Sequence, residues 1–347
     1  MKKNLNITIL LTLAAVLASC TKVDVEVPSV QTSSSSSKSE INTPAQKSIS
    51  FNAALHTQQT KSDNSALESS FRTYAFYTGD FDWNSNLEIS DMVKYINGDE
   101  VSKKGSEWST AVDYCWPKSG KLSFASYSPV SADLTIGNTR ENLLNKTGYV
   151  NDGTDLLIAD LAANKTQSNS QSGVQVLFRH ALSQVMFNFK AKTLEANGLN
   201  FEVNVNSVKV SSVCNTADLN WNSTNNEISW SNQSNAQVIN LSSSATALTT
   251  EFTALGSNSI VLPQSLSNSN GNIELTVNFT IVTKEGETEL DSTTITETVS
   301  LSSDNITAWA SGYCYIYNIT INPLSNDVIT FAPSVTNWMT NSSEVSM

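Results

Sequence analysis

Apolar or aromatic residues alternate with polar ones in short runs from Ile49 onward, and Asn, Ser and Gly separate the runs. A period of two places successive side chains on opposite faces of a strand, so it predicts half-buried β-strands. In "NIELTVNFTIVT" and "YCYIYNITI" every second residue is apolar or aromatic. Helical spacing is scarce, and its best candidate, around residues 139–144, is short. The pattern predicts an all-β protein.

The number of predicted strands indicates more than one domain. About 300 residues of short strands exceed what one small sandwich needs, so two β domains are expected. The polar stretch "ANKTQSNSQSG" at residues 163–173 is the best internal seam. It divides the chain into an N-terminal β-sandwich domain over residues 48–172 and a C-terminal one over residues 173–347.

The first residues have the order of a secretory signal. Lys2 and Lys3 precede an apolar stretch, and small residues lead to Cys20, so residues 1–19 are predicted to be a signal peptide. The apolar stretch is shorter than the ~20 residues that a spanning helix requires. The tetrapeptide "LASC" looks like a bacterial lipobox, in which the chain is cut before the cysteine and the thiol takes a diacylglycerol. Cys20 is therefore expected to anchor the protein to outer-membrane lipid; an ordinary signal peptide with a chance cysteine is the alternative.

Residues 20–47 are predicted to be a tether between the lipid and the folded part. The segment "QTSSSSSKSE" within it is rich in serine and has no large apolar side chain. Such a composition buries too little surface to offset the entropy of ordering the chain.

Charge excludes one class of partner. The net charge is −12, and removal of residues 1–19, which hold two lysines and no acids, makes it −14. Lys and Arg are sparse and scattered, whereas nucleic-acid binding depends on basic patches. No nucleic-acid partner is expected.

The remaining cysteines support neither a metal site nor a dithiol site. If Cys20 carries lipid, Cys115, Cys214 and Cys314 remain, at wide spacing and without a CxxC pair,. One disulfide plus one free thiol is possible, and so are three buried thiols that behave as small apolar residues. Buried thiols are favoured because Cys115 and Cys314 lie in aromatic runs typical of strands.

Catalytic chemistry is not supported. The chain has two histidines, His56 and His180, and it lacks a Gly-x-Ser-x-Gly elbow, a phosphate loop and an HExxH motif,. His180 shares its strand face with apolar residues, so a packed, hydrogen-bonded histidine is expected. We predict no enzyme activity, no catalytic residues and no cofactor.

Two weak binding signals remain. Asp80, Asp82, Asn84 and Asp91 fall at positions 1, 3, 5 and 12 of a calcium-loop spacing, but position 6 is not glycine and position 12 is not glutamate. A solvated loop is the expected alternative. Trp221 and Trp230 flank a predicted hairpin and could stack on sugars if exposed, although paired aromatic residues on facing strands usually pack together.

Several segments together resemble one family. They occur in the family's order, and they are "ISFNAAL", "FRTYAFY", "YCWPKSGKLSFASYSP", "VQVLFRHALSQVMFNF", "VLPQSL", "WASGYCYIYNITI" and "ITFAPSVTNW". With the lipobox and Trp108, they make the chain similar to the fimbrillins of the Mfa-like type, which are lipoprotein-derived subunits of pili on some Gram-negative anaerobes. Each segment is weak alone, whereas their order covers nearly the whole mature chain.

The resemblance implies two transthyretin-like β-sandwich domains in tandem and assembly by strand exchange. In the family, a protease cuts the first loop of the lipidated precursor, the first strand leaves, and an extended segment of another subunit fills the groove. Here the displaced strand would be residues 48–55, with Ile49, Phe51, Ala53 and Leu55 on one face. The family's cut follows an arginine, but this loop offers Lys61 instead. A lysine-tolerant protease could cut there, or the subunit could stay uncut as an anchor or base.

The implied function is that of a structural subunit of a cell-surface fimbria that serves adhesion. Its partners would be other fimbrial subunits and surface ligands of host or bacteria, at the outer membrane and in the fimbria. Residues 328–347 could act as a donor strand or form the last strand of their own domain. A glycan-binding surface lipoprotein that does not polymerise is the rival hypothesis.

Overall fold

The computed structural model describes residues 47–56, 67, 70–268, 271–325 and 328–338. Within these ranges every regular element is a β-strand except two 3₁₀ turns at Ile89–Asp91 and Val130–Ala132. The prediction of an all-β fold is therefore confirmed. None of the described residues form a helix long and apolar enough to cross a membrane.

Among the first ten strands, Ser70–Gly79 and Val174–His180 largely alternate buried and more exposed side chains with a period of two, whereas Lys121–Ser128 is buried at every position after the first,. The ten strands are β1 (Phe51–Leu55), β2 (Ser70–Gly79), β3 (Val93–Lys104), β4 (Glu107–Thr110), β5 (Lys121–Ser128), β6 (Thr135–Thr139), β7 (Asn142–Val150), β8 (Leu157–Ala159), β9 (Ala162–Lys165) and β10 (Val174–His180).

The later strands include the longest element of the fold, β13. They are β11 (Ser183–Ala191), β12 (Glu195–Ala196), β13 (Leu199–Asn222), β14 (Glu227–Ser242), β15 (Thr246–Ala247), β16 (Thr253–Ala254), β17 (Ser259–Val261), β18 (Gln264–Ser265), β19 (Ser267–Asn268), β20 (Gly271–Asn272), β21 (Glu274–Glu285), β22 (Thr288–Ser300), β23 (Ala308–Trp309), β24 (Tyr313–Ile321) and β25 (Ile329–Asn337).

The strand pairings of the N-terminal sheet close into a ring. The order is β2-β3-β4-β1-β10-β8-β5, with β5 also paired to β2 and with β9 attached to β5. A closed ring leaves no open edge. Its interior holds an apolar cluster that includes Phe51, Phe71, Phe124 and Phe178.

The C-terminal part has two main sheets packed over a second core. One runs β16-β11-β24-β25, with β17 on β11, and the other runs β22-β21-β13-β7-β6, with β12, β14 and β15 on β13. Apolar side chains of β11 and β24 face those of β13 and β21 across this core. A third cluster joins the two parts, because it combines Phe76 and Tyr127 with Leu219 and Trp221.

Strands pair across the boundary predicted between residues 172 and 173. That division assigns β10 to the second half, whereas β10 pairs with β1 and β8 in the first sheet. Likewise β7 of the first half pairs with β13 of the second. The polar composition on which the seam at residues 163–173 was predicted carries no information on which strands pair across it.

Two further expectations concern local structure. Residues 139–144, the best candidate for a helix, instead comprise the end of β6, a two-residue turn and the start of β7. Residues 329–337 form β25, the edge strand of their own sheet, paired antiparallel with β24 from Ile329 to Asn337. The described part of the C-terminal segment thus lies in its own domain.

Candidate functional site

The first strand, β1, lies between β10 and β4 and forms more residue pairs with β10 than with β4. β1 runs parallel to β10 through five residue pairs, from Phe51 opposite Val174 to Leu55 opposite Phe178. On its other side it pairs with β4 only at Phe51 and Trp108. The strand therefore has one long and one short line of backbone contact.

Side chains of β1, together with Ile49 just before it, fill the ring's interior. Ile49, Phe51 and Ala53 are buried, and Leu55 is half-buried against the same cluster. The Phe51 ring contacts Phe71 and Phe124 edge to face, with centroids 5.9 and 5.7 Å apart. Burial of a large apolar side chain stabilises a fold by ~1.5–3 kcal/mol, so β1 is a main contributor to this core.

Backbone hydrogen bonds hold both ends of the segment. Ile49 N donates to Tyr114 O at 2.7 Å, and His56 N donates to Phe178 O at 2.7 Å. Gly173 precedes β10 with φ +97°, and a Cβ there would lie 3.1 Å from the carbonyl carbon of Phe51. Glycine is required because β1 passes so close to this turn.

Tyr114 also ties this end of the groove to β3. Its hydroxyl donates to the Asp99 carboxylate at 2.6 Å. Burial, with the Asp99 hydrogen bond and charge, raises the pKa of Tyr114 to about 12. The protonated hydroxyl is the form that donates to Asp99.

The residues of the calcium-loop spacing do not converge. Among the described residues, no group of three or more His, Cys, Asp or Glu side chains is arranged to hold a metal ion. Asp82 instead forms a salt bridge with Lys121 at 2.7 Å. Trp83, which follows Asp82, is buried, and its backbone N–H donates to Asn164 Oδ1 at 2.8 Å. The loop packs onto the sheet, so the spacing reflects no common ligand sphere.

The two tryptophans expected to bind sugar are engaged by the protein. Trp221 is buried in the cluster that joins the two parts. Trp230 donates through Nε1 to Ala181 O at 2.8 Å, and its ring lies 5.3 Å from that of Tyr149. The exposure that stacking requires is absent at Trp221, so this pair does not form a sugar platform.

His180 is packed and hydrogen-bonded as expected. Its Nδ1 lies 2.6 Å from Asp155 Oδ2, and its ring stacks on Trp338 with centroids 4.0 Å apart and planes 9° apart. His56 is exposed at the end of β1. Both histidines border one cavity of about 400 Å³, which also reaches the start of β24 and the end of β25. Sequence reasoning missed this cavity because its walls come from segments far apart along the chain.

The three cysteines outside the signal region are all buried. Neither Cys214 nor Cys314 forms a disulfide, so no disulfide joins two of these three cysteines. Burial raises the pKa of the Cys314 thiol to about 11. Cys20, the tether before Lys47, and Lys61 lie outside the described residues.

The fold defines the class of this protein: it is an all-β protein whose first strand completes a ring of strands. A family model described as fimbrillin-like matches residues 73–338. The match covers more than half of the chain, and the chain belongs to the fimbrillin-like family.

One of the similar solved structures agrees in fold. A fimbrial protein from Bacteroides vulgatus is similar over 84% of this chain and 100% of its own, with 18% identity and a TM-score of 0.63. A candidate cell adhesion protein from Bacteroides ovatus matches over 86% and 99%, with 17% identity and a TM-score of 0.48. The fimbrial anchor protein Mfa2 from Porphyromonas gingivalis matches over 85% and 98%, with 13% identity and a TM-score of 0.32. No curated protein matches the sequence.

Proposed function

We propose that this fimbrillin-like protein is a structural subunit of a cell-surface fimbria, exported as a lipoprotein through Cys20 and assembled by exchange of its first strand. The chain would be held at the outer membrane by acyl chains, at least as a precursor. Another subunit would then supply an extended segment in place of β1. Adhesion to host or bacterial surfaces is the expected outcome.

The observation that carries the proposal is the position of β1. The strand completes the core through Ile49, Phe51 and Ala53, yet its contact with β4 is a single residue pair. A strand with deep side chains and few backbone contacts on one side can be removed without breaking the rest of the ladder. Its removal exposes an apolar groove.

An open groove favours one kind of occupant. β4 and β10 would present unpaired N–H and C=O groups, which an added strand satisfies. The space left by Phe51 is bounded by Phe71 and Phe124, so the incoming strand needs an apolar side chain at that position. Alternating apolar residues in an extended segment meet both requirements.

The N-terminus of the protein from native cell surfaces tests the proposal. Edman sequencing and intact mass would give a chain beginning at Ser62 if the protein is cut after Lys61 and polymerises. A chain that begins at acylated Cys20 would instead identify an uncut anchor or a free-standing lipoprotein. An unmodified Cys20 would contradict the lipoprotein part.

A second experiment tests strand exchange itself. A variant that lacks residues 48–55 is expected to bind a peptide matching residues 328–347, measured by native mass spectrometry. The intact chain and a scrambled peptide are the matched controls, and neither should give a complex. A deletion variant that folds but stays indifferent to the peptide would exclude this segment as the donor for this groove.

A further inference from the structure

The cavity of about 400 Å³ lies where the end of β1 faces the β13–β14 turn and the start of β24. Aromatic and polar side chains border it together, and they include Tyr313, Trp338, Asn226, Glu227, Asn337 and Arg179. Its volume falls in the lower part of the ~300–1,000 Å³ range of small-molecule sites.

Most charges on this wall are already paired. Arg179 binds Asp160 through two contacts, Nε to Oδ1 at 2.7 Å and Nη2 to Oδ2 at 2.8 Å. His180 is hydrogen-bonded to Asp155. Glu227 is exposed and is the remaining carboxylate of the wall. Among the described residues that border the cavity, no Lys or Arg lacks a carboxylate partner, so the cavity does not favour a strongly anionic ligand.

Two aromatic rings border the cavity. Trp338 is stacked on His180, and its backbone N–H donates to Gly312 O at 2.9 Å. Tyr313, the first residue of β24, is 41% exposed. Since the stack fixes the indole plane before any ligand arrives, little side-chain entropy is lost on binding.

The polar groups offer both donors and acceptors. Asn226 accepts from Leu161 N through Oδ1 at 2.8 Å, which leaves its NH₂ group. Glu227 accepts from Asn225 through Oε2, which leaves Oε1. The Tyr313 hydroxyl and the Asn337 amide have no hydrogen-bond partner within the part of the chain that the structure describes.

We infer that this cavity binds a neutral saccharide of one or two pyranose units. The C–H face of a pyranose packs against aromatic rings, and its hydroxyl groups both donate and accept, as the free groups of Asn226, Glu227 and Asn337 require. An anion would need an unpaired cation, and a purely apolar ligand would leave the amides unsatisfied. The site names a ligand class for the proposed adhesion, and its test uses the intact chain because Leu55 and His56, at the end of β1, border the cavity.

Saturation-transfer NMR and calorimetry on the intact, monomeric chain test the inference. The probes are the methyl glycosides of glucose, galactose, mannose and N-acetylglucosamine. At least one should bind saturably. Tyr313→Ala should weaken that binding by about tenfold, equivalent to ~1.4 kcal/mol, and Glu227→Gln by a few-fold because it removes a charged acceptor.

Phe252→Ala is the matched control, since this exposed ring lies outside the cavity wall and its loss should leave binding unchanged. Trp338→Ala should also weaken binding; because it could loosen β25, the Tyr313 variant decides. Absence of saturable binding by every probe, or wild-type affinity in Tyr313→Ala, would overturn the inference. Binding by a chain that never polymerises would support the site while contradicting the assembly proposal.

Discussion

The first and last described strands of the chain are held in opposite ways. β1 has five residue pairs with β10 and one with β4, but three residues of its segment are buried in the core. β25 has nine residue pairs with β24, yet its side chains are half-buried or exposed, and Val335 is 41% exposed. The first strand is held mainly by its side chains and the last mainly by its backbone.

This difference indicates which strand the fold needs. Backbone hydrogen bonds exchange with water on unfolding, so each contributes only ~0.5–1.5 kcal/mol net, whereas each large buried side chain contributes ~1.5–3 kcal/mol. Loss of β25 would uncover one edge. Loss of β1 would open a core. Of the two losses, only that of β1 therefore requires a replacement strand.

The largest expected effect is that of Phe51→Ala. It removes a buried ring from between Phe71 and Phe124, and such changes cost ~3–5 kcal/mol. Urea unfolding followed by circular dichroism measures the loss. Asn52→Ala, on the exposed face of the same strand, is the control and should stay within ~0.5 kcal/mol. Equal losses in both variants would mean that the backbone of β1, not its side chains, supports the core.

Gly173→Ala should have the next largest effect. Its φ of +97° and the 3.1 Å approach of a Cβ to Phe51 force a shift of β1 at a cost of ~1–3 kcal/mol. Gly153→Ala is matched, because Gly153 has φ +90° with no atom within 4 Å of a Cβ. The difference between the two unfolding free energies isolates the contact with β1. A difference near zero would show that the turn yields without disturbing the strand.

Phe331→Ala tests the other side of the comparison. This half-buried residue of β25 stacks on Tyr317 with centroids 5.3 Å apart. Partial burial and one aromatic pair predict a loss of ~1–2 kcal/mol. The same urea titration applies, with Val335→Ala as an exposed control. A loss as large as that of Phe51→Ala would remove the distinction between the two strands.

The smallest effect is confined to alkaline pH. The pKa of Tyr114 is raised to about 12 in the folded chain, so its contribution is complete below the unfolded value near 10 and is lost as pH rises from about 10 through 12. Tyr114→Phe should therefore lose stability less steeply across that window. Thermal unfolding at several alkaline pH values measures the slopes.

Asp99→Asn is the companion variant, because it removes the carboxylate that accepts from Tyr114. It should also flatten the slope between pH 10 and 12. Slopes identical to that of the unmodified chain in both variants would show that other groups dominate alkaline unfolding.

Local features of the fold could be predicted from the sequence better than contacts between segments far apart along the chain. Alternation identified the strand at residues 48–55 and its inward residues, because a strand's faces follow from its own sequence. It could not place β10 beside β1, since that pairing joins residues about 120 positions apart and depends on the whole core. For the same reason, the domain boundary predicted from the sequence falls before β10.

Candidate sites show the same limit. The spacing of acidic residues between Asp80 and Asp91 resembles that of a calcium loop, but the Asp82 carboxylate forms a salt bridge with Lys121. Residue type suggested that Trp221 and Trp230 bind sugar, but Trp221 is buried. Neither type nor spacing reports exposure, which is set by the strands that cover a residue. The cavity beside the stacked rings of Trp338 and His180 lies where β10 and β25 end next to each other. The sequence alone does not show that these two strand ends meet.

The parallel pairing of β1 with β10 also sets the order in which the protein can fold. A ribosome makes a chain from its N-terminus, so β1 is made long before residues 174–180. Until β10 is present, the ring cannot close through this pairing, and contacts between such distant segments form slowly. The strand that is made first is thus among the last to pair with its neighbour.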